Sequence, residues 1–322
     1  MSENAPHETA KSNMVTRIPR VRADATVATV VESLQAREFD CIDVIFVTDA
    51  DEKLTGMVRI KELFANGRRL VGDIMETEFK TARADDDQEA IAVSALRQNI
   101  TAVPVVDADG RLIGVVPPQA LLKIFREEHM EDLQRLAGIA PRDNRPDTAL
   151  NAPLYDRFRR RLPWLLFGLL ASSLVTLQMV QYEKELASNV TVAFFVPALV
   201  YIAGAIGAQA VSVAVRGLSV NDIPIRKLIG DELLVGFGLG AVLGLITFEM
   251  VAFTFDDYAL AFAVGLAVLA AGTLSATVGF GLPWLFKYFG YDPALGSGPI
   301  CTIVQDLASI SIYFGLVSIL IL

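Results

Sequence analysis

The spacing of hydrophobic residues divides the chain into two halves. From about residue 162 onward, five long apolar stretches follow one another, at residues 162–182, 190–215, 233–255, 258–286 and 296–322. Each can cross a hydrocarbon core of about 30 Å at about 1.5 Å per residue. Before residue 162, apolar residues come in short runs typical of strands and amphipathic helices. The pattern predicts an α-helical membrane domain with five transmembrane helices behind an N-terminal α/β region.

The N-terminal half contains an internal repeat. Residues 47–58 have the sequence VTDADEKLTGMV and residues 105–116 have VVDADGRLIGVV, and Arg-Ala-Asp precedes each copy, at 22–24 and 83–85. Each copy predicts a helix (27–37 and 88–98), a strand, a turn at Asp-Ala-Asp, a second strand and a short helix. Two such units resemble a tandem pair of CBS domains, with repeat one at residues 16–72 and repeat two at residues 73–128.

CBS pairs often bind adenine nucleotides through a Thr or Ser and an Asp that lie four positions apart at the start of the final helix. The corresponding stretches here are RIKE at residues 59–62 and PPQA at residues 117–120, which lack that pattern. ATP binding at the pair therefore stays open, without support from this motif.

The remaining segments are assigned from composition. Residues 1–15 have no apolar core of the kind a secretory signal needs, and they are expected to form a disordered tail. A connecting helix is predicted at residues 119–137, overlapping the end of repeat two. A linker rich in helix breakers follows at 138–156, and the membrane domain occupies 157–322.

Charge separates the halves and predicts the orientation. Residues 1–162 carry 23 Lys+Arg and 27 Asp+Glu, whereas residues 163–322 carry 5 and 10. Basic residues cluster before stretch one, between stretches two and three, and after stretch four, whereas the opposite side has only Lys184. Because basic loops stay inside, we expect a multi-pass protein of the cell (inner) membrane with a cytosolic N-terminus and an external C-terminus. We expect no nucleic-acid partner.

The fifth stretch carries the most informative residue, Asp306. It lies seven positions beyond Pro299, hence about 10 Å into the membrane. An ionised carboxylate there is costly unless it meets water, a cation or a partner, and none of the apolar stretches contains a basic residue in its interior. At 100° per residue one helix face collects the polar side chains Thr302, Gln305, Asp306, Ser309 and Tyr313. Either a cation site or a hydrogen-bonded structural aspartate would explain Asp306, and we expect the face to be wet.

Ligand chemistry narrows the cation. Both histidines, His7 and His129, lie outside the apolar stretches, and Cys301 lies off the polar face, so the ligands that zinc and copper prefer are missing. One or two carboxylates with carbonyls and retained waters suit Mg²⁺. Residue types alone do not exclude calcium, manganese or sodium.

The second stretch contains small residues four positions apart, at Ala203/Gly207 and Gly204/Ala208. This spacing allows close helix packing. Alternatively, backbone carbonyls near Gly207 line a polar path, and Pro197, one to two turns earlier, is expected to leave a carbonyl unpaired there.

Acidic residues also cluster in the soluble half. The connecting helix pairs Glu127 with Glu131 and Glu128 with Asp132 at i, i+4, where like charges repel. A second group lies at 85–89, including Asp87 and Glu89. Either set is explained by a solvated face or a helix N-terminus, or by a surface that binds divalent cations.

With these elements in place, the chain resembles an MgtE transporter over residues 16–322. The matching segments are AFFVPALV, GAIGAQ and VAVRGL in stretch two, and DPALGSGP followed by Asp306. The resemblance implies a homodimer in the bilayer with its pore between subunits. It implies that Asp306 binds hydrated Mg²⁺ there, with Thr302, Gln305 and Gly207 as pore-lining residues.

The resemblance also implies regulation. The connecting helix would act as a plug that closes the pore when cytosolic Mg²⁺ bridges acidic residues, here Asp87, Glu89, Glu128, Glu131 and Asp132. The chain departs from the family by carrying Ala205 and Ala208 in place of two Asn, by an early connecting helix without Asp, and by residues 1–15 where the family has a larger N-terminal helical domain.

The leading hypothesis is thus a Mg²⁺ transporter or channel gated by its CBS pair through divalent-cation feedback. Transport of Co²⁺ or Mn²⁺, sodium-coupled Mg²⁺ export, or a CBS sensor without a pore are the alternatives. No nucleophile with a base, phosphate-cradling loop or transition-metal cluster is present in the sequence, so we expect no enzymatic activity.

Overall fold

The computed structural model describes residues 8–140, 152–220, 225–296 and 298–321. Two compact units, Met1–His129 and Met130–Leu322, account for the chain. The predicted linker between the connecting helix and the first span lies partly outside the described residues, at 141–151, as does the loop at 221–224.

The first unit contains two three-stranded sheets of the same topology. In each, the first strand is parallel to the second and the second is antiparallel to the third. The register of both sheets shifts at equivalent places, between Val47 and Thr48 and between Val105 and Val106, which confirms the repeat down to one irregularity. The strands are β1 Arg20–Val21, β2 Val44–Thr48, β3 Leu54–Arg59, β4 Ala82–Arg83, β5 Val103–Val106 and β6 Leu112–Val116.

Helices α2 and α4 of this unit begin at residues whose side chains cap them. Thr26 accepts a hydrogen bond from the Thr29 amide at 3.3 Å, and Asp87 accepts one from the Ala90 amide at 3.1 Å. Such side-chain acceptors satisfy amides that have no partner inside the helix. The helices are α1 Ala10–Asn13, α2 Val27–Gln35, α3 Ile60–Ala65, α4 Gln88–Gln98 and α5 Pro118–Leu136, the last being the connecting helix, which continues into the second unit from Met130.

The repeated Asp-Ala-Asp motif is a turn device. Asp49 Oδ1 accepts from the amides of Asp51 and Lys53, both at 2.9 Å, and Asp107 Oδ1 accepts from those of Asp109 and Arg111 at the same distances. Each aspartate closes an Asx turn between two strands. The motif therefore has a structural role.

The two repeats share a core. Phe46 of the first sheet packs in one cluster with Ala102, Leu112 and Val115 of the second. Phe46 and Val115 are fully buried. The pair is thus one folding unit.

Residues 8–15 differ from the expected disordered tail. Helix α1 docks on the second repeat, where the Ala10 amide donates to Asp86 O at 2.9 Å and Val15 exchanges backbone hydrogen bonds with Val115. Ala10 is fully buried beside Ile91. The prediction of disorder is wrong for residues 8–15, because one small apolar residue fits a site that only the folded repeat creates; residues 1–7 lie outside the described residues.

The described residues of the second unit contain five helices long and apolar enough to cross a membrane. They are spans one to five: α6 Leu154–Gln181, α8 Val196–Val220, α9 Ile225–Phe255, α10 Tyr258–Tyr288 and α11 Pro299–Leu320. A short helix α7, Glu183–Ser188, lies between the first two. Span one begins eight residues before its apolar stretch, at Leu154. In this first part of the helix, Arg157 and Arg160 donate to the backbone oxygens of Ala152 and Ala140 at 3.0 and 2.7 Å.

Pro197 does not break a helix. It is the second residue of span two, which follows a 3₁₀ segment at Val190–Phe195. Proline costs no hydrogen bond in a first helical turn, and the Ala193 carbonyl is bonded by the Val196 amide. The expected unpaired carbonyl is therefore absent at that position.

Span four lies at the centre of the membrane helices. In span four, 61% of the apolar segment is buried inside the protein, whereas in span one only 6% of the apolar segment is buried. Glycines let its backbone approach its neighbours: a Cβ on Gly244 or Gly265 would lie within 2.8 Å of the other's carbonyl oxygen. Close approach of this kind takes the place of the hydrophobic effect in packing membrane helices.

Candidate functional site

A cleft of about 530 Å³ lies among spans one, two and five and the segment after the connecting helix. Its polar lining residues are Ser172 of span one, Ser212 of span two, and Thr302 and Asp306 of span five. Leu136 and Ala137 line one end beside Gly298 and Pro299. Asp306 supplies the only carboxylate among the described residues that line the cleft.

The start of span five positions Asp306. Pro299 occupies the first helical turn after Gly298, where its fixed φ favours initiation and its missing amide costs nothing. Asp306 follows two turns later and is half-buried, with Thr302 one turn before it and exposed. Both side chains therefore lie along the same wall of the cleft.

Two hydroxyls on the facing spans complete the polar surface. Ser172 donates to Leu169 O and Ser212 donates to Ala208 O, each at 2.9 Å. Each hydroxyl donates its one hydrogen to a carbonyl of its own helix. The lone pairs of its oxygen therefore remain able to accept a hydrogen bond or to face a cation. The cleft thus presents oxygen atoms to a cation from three helices.

No described basic residue forms an ion pair with Asp306. Throughout the described part of the chain, no hydrogen bond to its carboxylate is found either. A carboxylate within an apolar span needs compensation, and no described residue supplies it. The reading of Asp306 as a hydrogen-bonded structural aspartate loses its basis.

The predicted polar face of span five divides in two. Gln305, Ser309 and Tyr313 are buried and point into the helix bundle, where Gln305 Nε2 donates to Ser275 O at 3.2 Å and Tyr313 Oη donates to Val192 O at 2.8 Å. Neighbouring backbone carbonyls satisfy these side chains, so they need no water. The expectation of one uniformly wet face is wrong; the pore-lining role of Gln305 stays a prediction.

Gly207 is packed between helices. A Cβ on Gly207 would overlap the Gln305 side chain, and one on Gly279 would lie 2.5 Å from the Gly207 carbonyl oxygen. Its neighbour Ala208 lines the cleft instead. The spacing of small residues thus serves helix packing here, and a pore-lining role for Gly207 stays a prediction.

Ser172, Ser212 and Gly168 were not singled out from the sequence. Serines in apolar stretches were the available signal, but a serine that only bonds its own helix has the same pattern. Which serines meet Asp306 depends on how the spans pack.

The predicted sensing residues have structural partners. Asp87 caps α4, Glu128 accepts from Gln88 Nε2 at 2.6 Å, and Glu131 forms an ion pair with Arg135. Glu89 and Asp132 also have partners. Over the described ranges, there is no group of three or more His, Cys, Asp or Glu side chains that could hold a metal ion. Their sensing role stays a prediction.

Comparisons with known proteins find relatives of both the N-terminal half and the membrane half of the chain. The profile of the MgtE family, described as divalent cation transporter, matches residues 196–316, and the CBS domain profile matches residues 12–67 and 71–127. The magnesium transporter MgtE of Enterococcus faecalis is 31% identical over 97% of this chain and 69% of its own length. The magnesium transporter MgtE of Thermus thermophilus is 30% identical over 94% and 67%.

Among solved structures, the cytosolic domain of the Mg²⁺ channel MgtE in complex with ATP is 30% identical. The match covers 37% of this chain and 49% of the chain in that structure, with a TM-score of 0.35.

Proposed function

Because the chain belongs to the MgtE family of divalent cation transporters, we propose that it conducts Mg²⁺ across the cell membrane along a path through the cleft at Asp306. The chain is a multi-pass membrane protein with a regulatory CBS pair. The three curated relatives that match nearly the whole chain are named as magnesium transporters.

The observation that carries the proposal is a half-buried carboxylate in a cleft lined by hydroxyls, with no basic partner among the described residues. Burying a charge without compensation is costly, and a cation in the cleft offsets that cost. Mg²⁺ keeps most of its hydration shell and is commonly held by one or two carboxylates through waters. A single carboxylate with Thr302, Ser172 and Ser212 fits a hydrated ion.

The proposal includes a homodimer in the inner membrane, with a cytosolic N-terminus and an external C-terminus. Exposed Thr302, one turn before Asp306 on span five, leaves room for a second copy of Asp306 to approach the path. Support for the orientation comes from the basic loop residues. Light scattering of the detergent-solubilised protein, corrected for detergent, measures the subunit number; a monomer would contradict this part.

Feedback by cytosolic divalent cations is also part of the proposal, with Asp87, Glu89, Glu128, Glu131 and Asp132 as ligands. Binding regulates transport only through a difference in affinity between the conducting and closed states. The concentration of internal Mg²⁺ that halves uptake measures the apparent affinity of these regulatory sites. Uptake that is insensitive to internal Mg²⁺ would remove this part.

The test of transport is Mg²⁺ uptake into proteoliposomes. Asp306→Asn keeps the volume and removes the charge, and uptake should fall at least 10-fold, since a loss of about 1.4 kcal/mol of attraction already gives that factor. Glu249→Gln is the matched control, because Glu249 is an exposed acidic residue of span three outside the cleft. Equal uptake by the two variants would refute the site.

Ion competition separates the alternatives. External Co²⁺ or Mn²⁺ that is carried faster than Mg²⁺ would reassign the substrate. Uptake that follows an imposed sodium gradient would make the protein a coupled exporter. Liposomes that pass no divalent ion under any gradient would favour a sensor without a pore.

A further inference from the structure

Three charged side chains fasten the end of the connecting helix beside the cleft. Arg135, in the last turn of that helix, forms ion pairs with Glu131 one turn earlier and with Asp292 in the loop between spans four and five. The side chains are partly buried, with 26%, 19% and 27% of their surfaces exposed. Arg135 therefore joins two carboxylates from distant parts of the sequence.

Asp292 is itself fixed to the start of span five. Its Oδ1 accepts from the Ala294 amide at 2.7 Å and its carbonyl from the Leu295 amide at 3.1 Å. Ala294 is fully buried in a cluster with Val211, Val215 and Cys301. This turn connects Asp292 to Ala294, which packs against Val211 of the cleft wall, so Asp292 and the cleft wall are held together.

The helix end that Arg135 holds lies against the cleft. Leu136 lines the cleft and packs on the cluster that contains Cys301. A Cβ on Gly298 would lie 3.5 Å from the Arg135 carbonyl oxygen, so the two backbones are close. Arg160 of span one also donates to Gln134 Oε1 at 2.8 Å. Moving the helix end would require breaking the ion pair with Asp292.

Two carboxylates brought this close repel each other unless a cation lies between them. A divalent cation from solution supplies that charge only when its concentration is high enough. An arginine supplies it at all concentrations, because its guanidinium stays protonated and its planar fork bonds carboxylates. The charge at this contact is thus part of the chain.

We propose that Glu131, Arg135 and Asp292 form a latch that favours the state in which the connecting helix covers the cleft, with the guanidinium in the place of a divalent cation. The inference rests on the proposed transport function and assigns a regulatory contact to the same cleft. Glu131, predicted above as a sensing ligand, takes part in this contact through its ion pair with Arg135. Closure through this contact does not depend on the Mg²⁺ concentration.

The test uses the native thiol of Cys301, which is 2% exposed and lies in the cluster that Leu136 covers. The full chain carries Cys41→Ser so that Cys301 is the single thiol, and a charged maleimide reports its accessibility in liposomes at low Mg²⁺. Arg135→Gln and Asp292→Asn should each raise the labelling rate by about 5-fold or more. Arg126→Gln removes the same charge from an exposed site on the same helix and should leave the rate unchanged.

A second comparison tests the substitution of guanidinium for metal. Added Mg²⁺ should slow labelling more in Arg135→Gln, which keeps both carboxylates, than in Arg135→Gln/Asp292→Asn. Equal rates in Arg135→Gln and Arg126→Gln would overturn the latch, and equal Mg²⁺ responses in the single and double variants would overturn the role given to the guanidinium. Labelling needs no transport, so unchanged uptake by Asp306→Asn would refute the transport site without affecting this result.

Discussion

Gly279 and Gly281 form a matched pair of substitutions on span four. A Cβ on Gly279 would lie 2.5 Å from the Gly207 carbonyl oxygen and 3.1 Å from Ala210 Cβ, whereas a Cβ on Gly281 meets nothing within 4 Å. Both glycines lie inside the same helix, so changing either to alanine gains about 1 kcal/mol of helix propensity. The gain cancels when the two variants are compared.

The difference in stability between the two variants is then the cost of overpacking at Gly279. Backbone atoms cannot rotate away as a flexible side chain can, so spans two and four must separate. Overpacking of this kind costs about 1–3 kcal/mol, and we expect Gly279→Ala to be less stable than Gly281→Ala by that amount. Thermal unfolding in detergent, followed by loss of the monodisperse peak, measures the difference in Tm. A Gly279→Ala variant that melts with or above Gly281→Ala would refute the close contact of spans two and four.

Two further predictions concern the soluble half. Asp107→Ala removes the acceptor of two backbone amides and should lower the free energy of unfolding by about 1–3 kcal/mol, whereas Asp109→Ala, whose side chain closes no turn, should change it little; equal Tm values would contradict the turn role. Arg17 beside Asp40 lowers the pKa of that carboxyl, chiefly through their hydrogen bond, so the stabilisation is present at neutral pH and is lost as the pH falls below about 4. The Tm difference between wild type and Asp40→Asn should therefore shrink in acid, and a constant difference from pH 7 to pH 3 would refute the assignment.

Local patterns predicted the elements well where one type of residue decides the structure. The helix at 88–98 was predicted with its bounds, because Asp87 caps it and its apolar face repeats regularly. Spans were located by length and hydropathy, but their starts shifted where polar residues continue a helix beyond the apolar stretch, as at Leu154. Hydropathy predicts which residues lie in the membrane, whereas backbone hydrogen bonds determine where a helix begins and ends.

The candidate site was predicted in part. Asp306 stands out in any apolar stretch because a charge there has to be compensated. Its polar companions on span five did not share its environment, since Gln305 and Tyr313 found carbonyls on neighbouring helices. Periodicity places residues on one side of a helix but does not say whether that side meets a cleft or a neighbour.

The sequence by itself determined the five spans, the repeated CBS pair and the place of Asp306 within the fifth span, because hydrophobic spacing, an internal repeat and residue position are properties of the chain. Only the tertiary structure decided which side chains share the cleft with Asp306, that residues 8–15 dock on the second repeat, and that Arg135 joins Glu131 to Asp292. Those outcomes depend on distances between segments far apart in sequence, and such distances are set by packing.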